Sequence, residues 1–282
     1  MKECYLRPLQ TDDMKAAMEL SATEGWNQTA QDWKFLLEDP QNISVAAVAG
    51  DKVVGTTVAL NYNGQLAWIG MVLVNKAYRG KGISKFLLQH VFESCKAAMK
   101  LDATALGEPV YRKFGFLPEY TILRMVNTHV ANIRNDHNDL PRQALSKHFA
   151  SIISLDETAL GIKREKLIAY YMQQYPDKAW VLEENNGIEG FVLGRAGYRY
   201  HHIGPVVAAT TSQAILLLKK ALAQLPGQPV VIDVPVDKKE VIQMLQELDF
   251  VEQRQFIRMY RNKNPFAGNV SKLFAIAGPE FG

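Results

Sequence analysis

The sequence has only two cysteines among 282 residues, Cys4 and Cys95. They form neither a disulfide framework nor a metal-ligand spacing, so we expect no metal site. No stretch reaches the ~18 apolar residues that a membrane span requires. The N-terminal residues, MKECYLRPLQ, also lack the apolar core of a secretory signal. These absences favour a cytoplasmic protein that is not inserted in a membrane.

A large excess of one charge is also missing. The 32 basic and 29 acidic side chains leave a net charge of +3, without a long run of like charges. A nucleic-acid binder or a membrane-surface protein normally has a basic stripe or patch, so neither partner is expected. The 48% hydrophobic content is enough for one large core or two ordinary cores.

The first half alternates strands and helices, which predicts an α/β fold. Residues 66–74, LAWIGMVLV, are apolar on both faces, as in a central strand covered by helices on both sides. The next helix places Ile83, Phe86, Leu87, His90 and Val91 on one stripe. The other predicted strands are 3–9, 43–50, 52–61, 101–106 and 120–126, and the other helices are 12–22, 29–38 and 109–114, with Thr29 opening the second.

The second half repeats this plan. FLPEYTILRM at 116–125 returns as FVEQRQFIRM at 250–259, and the WIG that ends at Gly70 returns as the HIG that ends at Gly204. Both matches have the same offset, because 250 − 116 and 204 − 70 are each 134. A fixed offset indicates two copies of one domain. We predict domains at 1–130 and 131–264, joined within the polar stretch 127–142, and a C-terminal tail at 265–282.

The turn between the buried strand and the next helix contains the parts of an anion site. Its residues are Tyr78-Arg79-Gly80-Lys81-Gly82-Ile83-Ser84. Glycines let the backbone come close to a ligand, and the free N–H groups of a first helical turn attract negative charge. An exposed basic turn that merely caps a helix would look similar. The position after a central strand favours the binding interpretation.

These residues resemble the GNAT superfamily of acyl-CoA-dependent N-acyltransferases. Arg79-x-x-Gly82-x-Ser84 is similar to the family signature Arg/Gln-x-x-Gly-x-Gly/Ala, with Ser84 departing at the last position. LDATALGEPVYRKFGF, residues 101–116, looks like the family's second motif. The resemblance covers residues 1–126. It implies an α+β sandwich in each half, with a mixed central sheet flanked by helices, and acetyl-CoA as co-substrate without a metal.

The resemblance also implies roles for individual residues. The pyrophosphate of coenzyme A would lie on the backbone N–H groups of Arg79, Gly80, Lys81, Gly82, Ile83 and Ser84. The pantetheine arm would run beside Val72, Leu73 and Val74. Tyr111 matches the tyrosine beside the thioester sulfur, although a tyrosine on a short amphipathic helix can also be plain core.

The acceptor half of the site is less defined by the sequence. In this family, EGWNQT at 24–29 would build one wall of the acceptor pocket, which makes Glu24 and Trp26 candidate substrate-binding residues. Trp26 is equally well explained as core. An acceptor amine must lose a proton before it attacks, and Glu24, Glu119 and Asp102 are the nearest acidic candidates for a base.

The second copy has lost the anion turn. IGPVVAATTSQAILLLKK, residues 203–220, lacks the Arg-Gly-x-Gly segment, and Leu245 stands where the first copy has Tyr111. We therefore predict one acetyl-CoA site per chain, and direct transfer of acetyl to a small-molecule or protein amine in a ternary complex. The alternative is a non-catalytic acyl-CoA sensor or partner-binding module.

Overall fold

A computed structural model describes residues 4–133, 141–184 and 187–282. Residues 134–140 of the predicted linker lie outside this range. The first half contains β1 (Cys4–Pro8), α1 (Met14–Thr23), α2 (Ala30–Glu38), β2 (Ile43–Ala49), β3 (Lys52–Tyr62), β4 (Leu66–Val74), α3 (Ile83–Ser94), β5 (Ala98–Thr104), α4 (Glu108–Lys113) and β6 (Phe116–Asn127).

The second half repeats this order of elements. It contains β7 (Arg142–Gln143), α5 (Phe149–Leu160), α6 (Glu165–Gln174), β8 (Trp180–Glu184), β9 (Gly187–Arg195), β10 (His201–Ala208), α7 (Thr211–Leu222), β11 (Val230–Pro235), α8 (Lys239–Glu247), β12 (Val251–Arg261) and β13 (Leu273–Ala275). Up to β12, each element has a counterpart in the first half. The predicted tandem of two α/β domains is confirmed.

Local sequence signals explain several element boundaries. The Thr29 side chain accepts a hydrogen bond from the Asp32 N–H, and the Asp32 side chain accepts one from the Thr29 N–H, so a capping box opens α2. The predicted apolar stripe of α3 was partly wrong. Phe86 and His90 are exposed, and Leu88 is buried instead.

All of these strands belong to one sheet. Its order is β1-β2-β3-β4-β5-β12-β6-β11-β10-β9-β8-β7, and β13 pairs with β10 outside this path. The neighbours are antiparallel except β4 with β5 and β10 with β11, which are parallel. The hydrophobic core is also shared, because one cluster of buried side chains includes Trp33 and Trp68 from the first half and Tyr171 and Phe281 from the second.

The two halves exchange their last strands. β12, from the second half, lies between β5 and β6, and β6 lies between β12 and β11. Ile122 pairs with Phe256, and these positions differ by the repeat offset of 134, so a local two-fold axis passes through this pair. Register shifts leave Glu119 and Gln253 without a direct partner in this ladder, again 134 residues apart.

Two buried ion pairs follow the same symmetry. Arg258 on β12 binds Asp102 on β5 through Nε and Nη2, both at 2.9 Å. Arg124 on β6 binds Asp233 on β11 in the same bidentate way, both at 2.8 Å. Each exchanged strand is therefore joined by a charged pair to a strand of the other half.

In the C-terminal segment, residues 265–272 are exposed or half-buried, and residues 273–282 lie almost entirely inside the protein. β13 pairs with β10, and the chain then crosses to the first half, where Tyr62 and Trp68 hydrogen-bond the backbone oxygens of Phe281 and Pro279. Ala277, Glu280 and Phe281 are buried. This segment contributes to the core between the halves. Within the described residues, no helix is long and apolar enough to cross a membrane.

We expect neither half to fold alone, because β12 fills the gap between β5 and β6. A fragment of residues 1–133 should show no cooperative thermal transition by circular dichroism, and adding a fragment of residues 134–282 should restore one. The whole chain should unfold in one transition. A cooperative melt of the isolated first fragment would contradict this expectation.

Candidate active site

A deep cleft opens where β4 and β5 separate. The two strands pair only from Leu66–Ala98 to Trp68–Lys100, and beyond Trp68 they diverge. The divergence leaves a cleft of about 970 Å³. Beyond Trp68, β4 pairs with β3 on one side, and its other edge faces the cleft with no partner strand among the described residues. An extended ligand can add to such an edge as a strand would.

A β-bulge sets the course of β4 at the cleft. Gly70 pairs with Val58 and Leu73 with Thr56, so Met71 and Val72 together oppose Thr57. Met71 has φ = 54°, which is uncommon for a residue with a side chain. The hydroxyl of Thr56 donates to the Met71 carbonyl oxygen at 2.9 Å. The bulge turns β4 away from β5 and widens the cleft.

The predicted anion turn lies at one end of this cleft. Gly80 and Gly82 have φ of 75° and 79°, and a Cβ at either position would meet nothing within 4 Å, so the turn is open toward solvent. Gly82 is the N-cap of α3 and provides no side-chain cap. Within the described part of the chain, none of the backbone N–H groups of residues 80–85 donates a hydrogen bond.

These unpaired donors fit a phosphate group. Six consecutive N–H groups at a helix N-terminus, with the positive end of the helix dipole behind them, form a site for an anion. Arg79 lies at the same end of the cleft and adds a guanidinium. The donor set thus fits the pyrophosphate of an acyl-CoA.

In the second half, the chain itself satisfies both the helix start and the strand edge that correspond to the anion turn and to the open edge of β4. β4 and α3 are connected by residues 75–82, whereas β10 and α7 are connected only by Ala209 and Thr210. Thr210 caps α7 in a capping box with Gln213, so this helix start is already satisfied. β13 pairs with β10 at Val206 and Val207, the counterparts of Val72 and Leu73, and takes the edge that β4 leaves free.

Most of the predicted site residues meet in the cleft. Its lining includes Glu24, Trp26, Val72, Leu73, Val74, Arg79, Gly80, Gly82, Ile83, Ser84 and Tyr111. Lys81 is the exception. Its ammonium lies 5.1 Å from the centroid of the Tyr78 ring and 3.4 Å from the Ala77 oxygen, outside the cleft lining. Trp26 fulfils both interpretations left open above, because it lines the cleft and packs against the core shared by the halves.

Tyr111 is held in the cleft wall by close packing. Its ring contacts Phe116 edge to face, with centroids 5.9 Å apart, and a Cβ at Gly107 would lie 2.9 Å from its Cε2. Its hydroxyl has no hydrogen-bond partner among the described residues. Burial raises the pKa of this phenol. The hydroxyl is therefore protonated at neutral pH, as a proton donor must be.

Two of the predicted acidic candidates are held in ion pairs. Both oxygens of Asp102 accept hydrogen bonds from Arg258, and Glu119 pairs with Lys100 at 2.9 Å and does not line the cleft. Glu24 lines the cleft, and its Oε1 lies 2.6 Å from Arg79. This contact places Glu24 at the anion-turn end of the cleft, where it positions Arg79.

The sequence reasoning missed the cleft residues that come from β6, β12 and the C-terminal segment. These are Arg124, Arg254, Gln255, Phe256, Pro279 and Glu280. Arg254 has no hydrogen-bond or ion-pair partner among the described residues, and burial together with the nearby Arg124 charge lowers its pKa. The repeat contained one signal that Arg124 is important, since Arg258 occupies the equivalent position in the second half. No sequence pattern indicated Glu280.

Comparisons with known proteins match both halves of the chain. Residues 7–116 match the model of the "Acetyltransferase (GNAT) family". Residues 152–275 match the model of the "Acetyltransferase (GNAT) domain". A curated relative is the holothin acyltransferase of Pseudoalteromonas sp. (strain SANK 73390), which is 27% identical over 278 residues, 98% of this chain and 94% of the relative.

Solved structures share the fold over the whole length. A protein from Pyrococcus horikoshii superposes with a TM-score of 0.82 and 24% identity, covering 100% of this chain and 97% of that chain. A tandem GNAT protein from the clavulanic acid biosynthesis pathway, solved without acetyl-CoA, gives a TM-score of 0.63 at 13% identity, with 92% and 98% coverage. Among the described residues, no group of three or more His, Cys, Asp or Glu is placed to hold a metal ion.

Arg79→Ala should weaken acetyl-CoA binding roughly 10- to 100-fold, because a hydrogen bond to a charged group contributes about 1.5–3 kcal/mol. Lys81→Ala is the matched control, since Lys81 is a cation of the same turn that does not line the cleft. Its effect on the dissociation constant should stay below about threefold. Isothermal titration calorimetry measures both, and equal losses in the two variants would contradict specific contact by Arg79.

Proposed function

Because the chain belongs to the GNAT superfamily of acyl-CoA N-acyltransferases, with two of its domains in tandem, we propose that the first half transfers acetyl from acetyl-CoA to an amine. The observation that carries this proposal is the row of N–H donors at residues 80–85, next to the open edge of β4, both without a partner among the described residues. The edge ends at the anion turn, and Tyr111 lines the same cleft.

Acetyl-CoA, when bound, supplies the acetyl group and a thiol leaving group. In the proposal, the N–H groups of the turn hold the pyrophosphate, with Arg79 as a further donor. Val72, Leu73 and Val74 pair with the pantetheine arm through the free edge of β4. These contacts bring the thioester to the part of the cleft that Tyr111 lines.

Two proton movements are needed for transfer. A lysine-like amine has a pKa of ~10.4, so at pH 7 only roughly one part in a few thousand is free base, and a group in the cleft must accept its proton. The leaving thiolate has an unperturbed pKa of ~8.5 and gains from a nearby donor. Tyr111, kept protonated by its environment, is the proposed donor.

The acceptor end of the cleft is formed by both halves. Trp26 and Phe256 provide aromatic surface, and Arg254 provides a cation without a partner among the described residues. We propose a small-molecule amine or a protein amine as the acceptor. The curated relative is named for holothin, which makes holothin one compound to test.

Calorimetry should find one acetyl-CoA site per chain, because β13 and the Thr210 cap close the equivalent site in the second half. A panel containing holothin, ethylamine, an α-amino acid, an aromatic amine and a lysine peptide should then include an acceptor that releases free thiol from acetyl-CoA. Two comparable sites would contradict the stoichiometry. Tight binding without amine-dependent thiol release would favour the sensor alternative.

Tyr111→Phe should lower kcat roughly 10- to 100-fold with little change in acetyl-CoA affinity, since only proton donation to the thiolate is lost. Because burial raises the pKa of Tyr111, the phenol loses no proton below its ordinary pKa of ~10. The wild-type rate should therefore not fall between pH 7 and pH 9 through ionisation of this residue. An unchanged kcat in the variant would remove Tyr111 from the reaction.

A further inference from the structure

One carboxylate in the cleft has incomplete hydrogen bonding. Glu280 lines the cleft and is only 3% exposed. Its Oε1 accepts a hydrogen bond from Arg195 Nη2. Its Oε2 is buried and has no partner among the described residues. Buried carboxylate oxygens are almost always paired, so this oxygen is left able to accept a further hydrogen bond.

The C-terminal segment holds this carboxylate in a fixed position. Buried side chains of both halves donate hydrogen bonds to its backbone carbonyls on either side of Glu280. The bonds are Tyr171 Oη to Ala277 O at 2.7 Å, Trp68 Nε1 to Pro279 O at 2.9 Å and Tyr62 Oη to Phe281 O at 2.6 Å. A segment with so many buried backbone contacts is a rigid support for a functional group.

Glu280 lies beside the bulge of β4. A Cβ added to Gly70 would lie 3.2 Å from Glu280 Cα, so glycine is needed for the close approach of the two backbones. Gly70 immediately precedes Met71 and Val72, the bulged pair at the start of the proposed pantetheine edge. Glu280 and Arg79 therefore stand at opposite ends of the exposed part of β4, the carboxylate away from the phosphate turn.

The other described carboxylates of the cleft differ from Glu280. Glu24 is partly exposed and its Oε1 binds Arg79 at the phosphate end, whereas both oxygens of the buried Asp102 bind Arg258. Among the described cleft-lining residues, Glu280 is thus the carboxylate with a buried oxygen left for a ligand.

We propose that Glu280 is the general base that accepts the proton of the acceptor ammonium, which rests on the acetyl transfer proposed above. Transfer from a thioester to an ammonium forms a C–N bond and breaks a C–S bond. Of the three ammonium protons, one stays on the amide nitrogen and one is released. The third balances the proton that the thiol sulfur takes from Tyr111. Glu280 receives the released proton and passes it to solvent.

The charges around Glu280 suit this role. Arg195 is shared between Glu280 and the buried Asp32, whose Oδ2 lies 2.8 Å from Arg195 Nη1. This arrangement places one cation between two carboxylates, so Arg195, Asp32 and Glu280 together carry one negative charge. Among the described residues, the titratable and charged groups that interact with Glu280 include Arg195, Asp32, Tyr171, Arg124 and His202.

The test compares two nucleophiles that differ in their need for a base. Ethylamine is protonated near neutral pH and requires deprotonation, whereas hydroxylamine is largely uncharged and does not. Glu280→Gln should lower thiol release from acetyl-CoA with ethylamine by roughly 10²- to 10⁴-fold at pH 7.5. The rate with hydroxylamine should change by less than about fivefold. As pH rises toward the pKa of ethylamine, the ethylamine rate of the variant should approach that of wild type.

Asp32→Asn is the matched control, because it also takes one carboxylate from Arg195 but Asp32 does not line the cleft. It should lower Tm without a selective loss of the ethylamine reaction. Should Glu280→Gln not fold, Glu280→Asp keeps the charge and moves it by one methylene, and should show the same selective loss to a smaller degree.

The outcomes separate this role from the proposed function. Equal losses with both nucleophiles, or a selective loss in Asp32→Asn as well, would make Glu280 structural and overturn the proposal. An active wild type with an unaffected Glu280→Gln variant would overturn it while leaving acetyl transfer intact. A wild type that binds acetyl-CoA but shows no enzyme-dependent thiol release with these two nucleophiles or with any amine of the panel would remove both.

Discussion

The exchange of β6 and β12 is the constraint from which the rest of the architecture follows. Each strand carries an arginine, Arg124 or Arg258, that forms a buried bidentate pair with an aspartate of the neighbouring strand. Removing one partner would leave an uncompensated charge inside the sheet, which is strongly unfavourable. The exchange joins two domain sheets into one and puts residues of the second half on the wall of the first half's cleft.

Because the two halves are related by symmetry, the strand edge and the helix start of one half can be compared directly with those of the other. Both contain a pair of parallel strands that separate after a short contact, β4 with β5 and β10 with β11. In the second half, β13 lies against the edge of β10, and a two-residue connection leads to a capped helix. In the first half, none of the described residues pairs with the same edge as a strand or caps the helix start with a side chain. In the second half, β13 thus takes the position that the proposal gives to a strand-like ligand in the first half.

The C-terminal segment connects these two features. After β13 has closed the second half, the chain continues across the shared core, where Tyr62, Trp68 and Tyr171 hold its backbone. It ends beside β4, where Pro279 and Glu280 line the open cleft. The second half therefore provides more than a scaffold, because Arg254 and Phe256 on β12 line the same cleft.

The sequence by itself determined the features that depend on neighbours along the chain. The periodicity of β4, the glycines of the anion turn, the capping box at Thr29 and the repeat offset are local or internal patterns. They indicated the fold class, the tandem and the position of the anion turn. Tertiary structure alone decided which distant residues meet there. Strand exchange is invisible to local patterns, because β12 has the same sequence character whichever sheet it joins. Glu280 lies in a Gly- and Pro-rich stretch, AGPEFG, without periodicity. Its position depends on buried hydrogen bonds to side chains more than a hundred residues away.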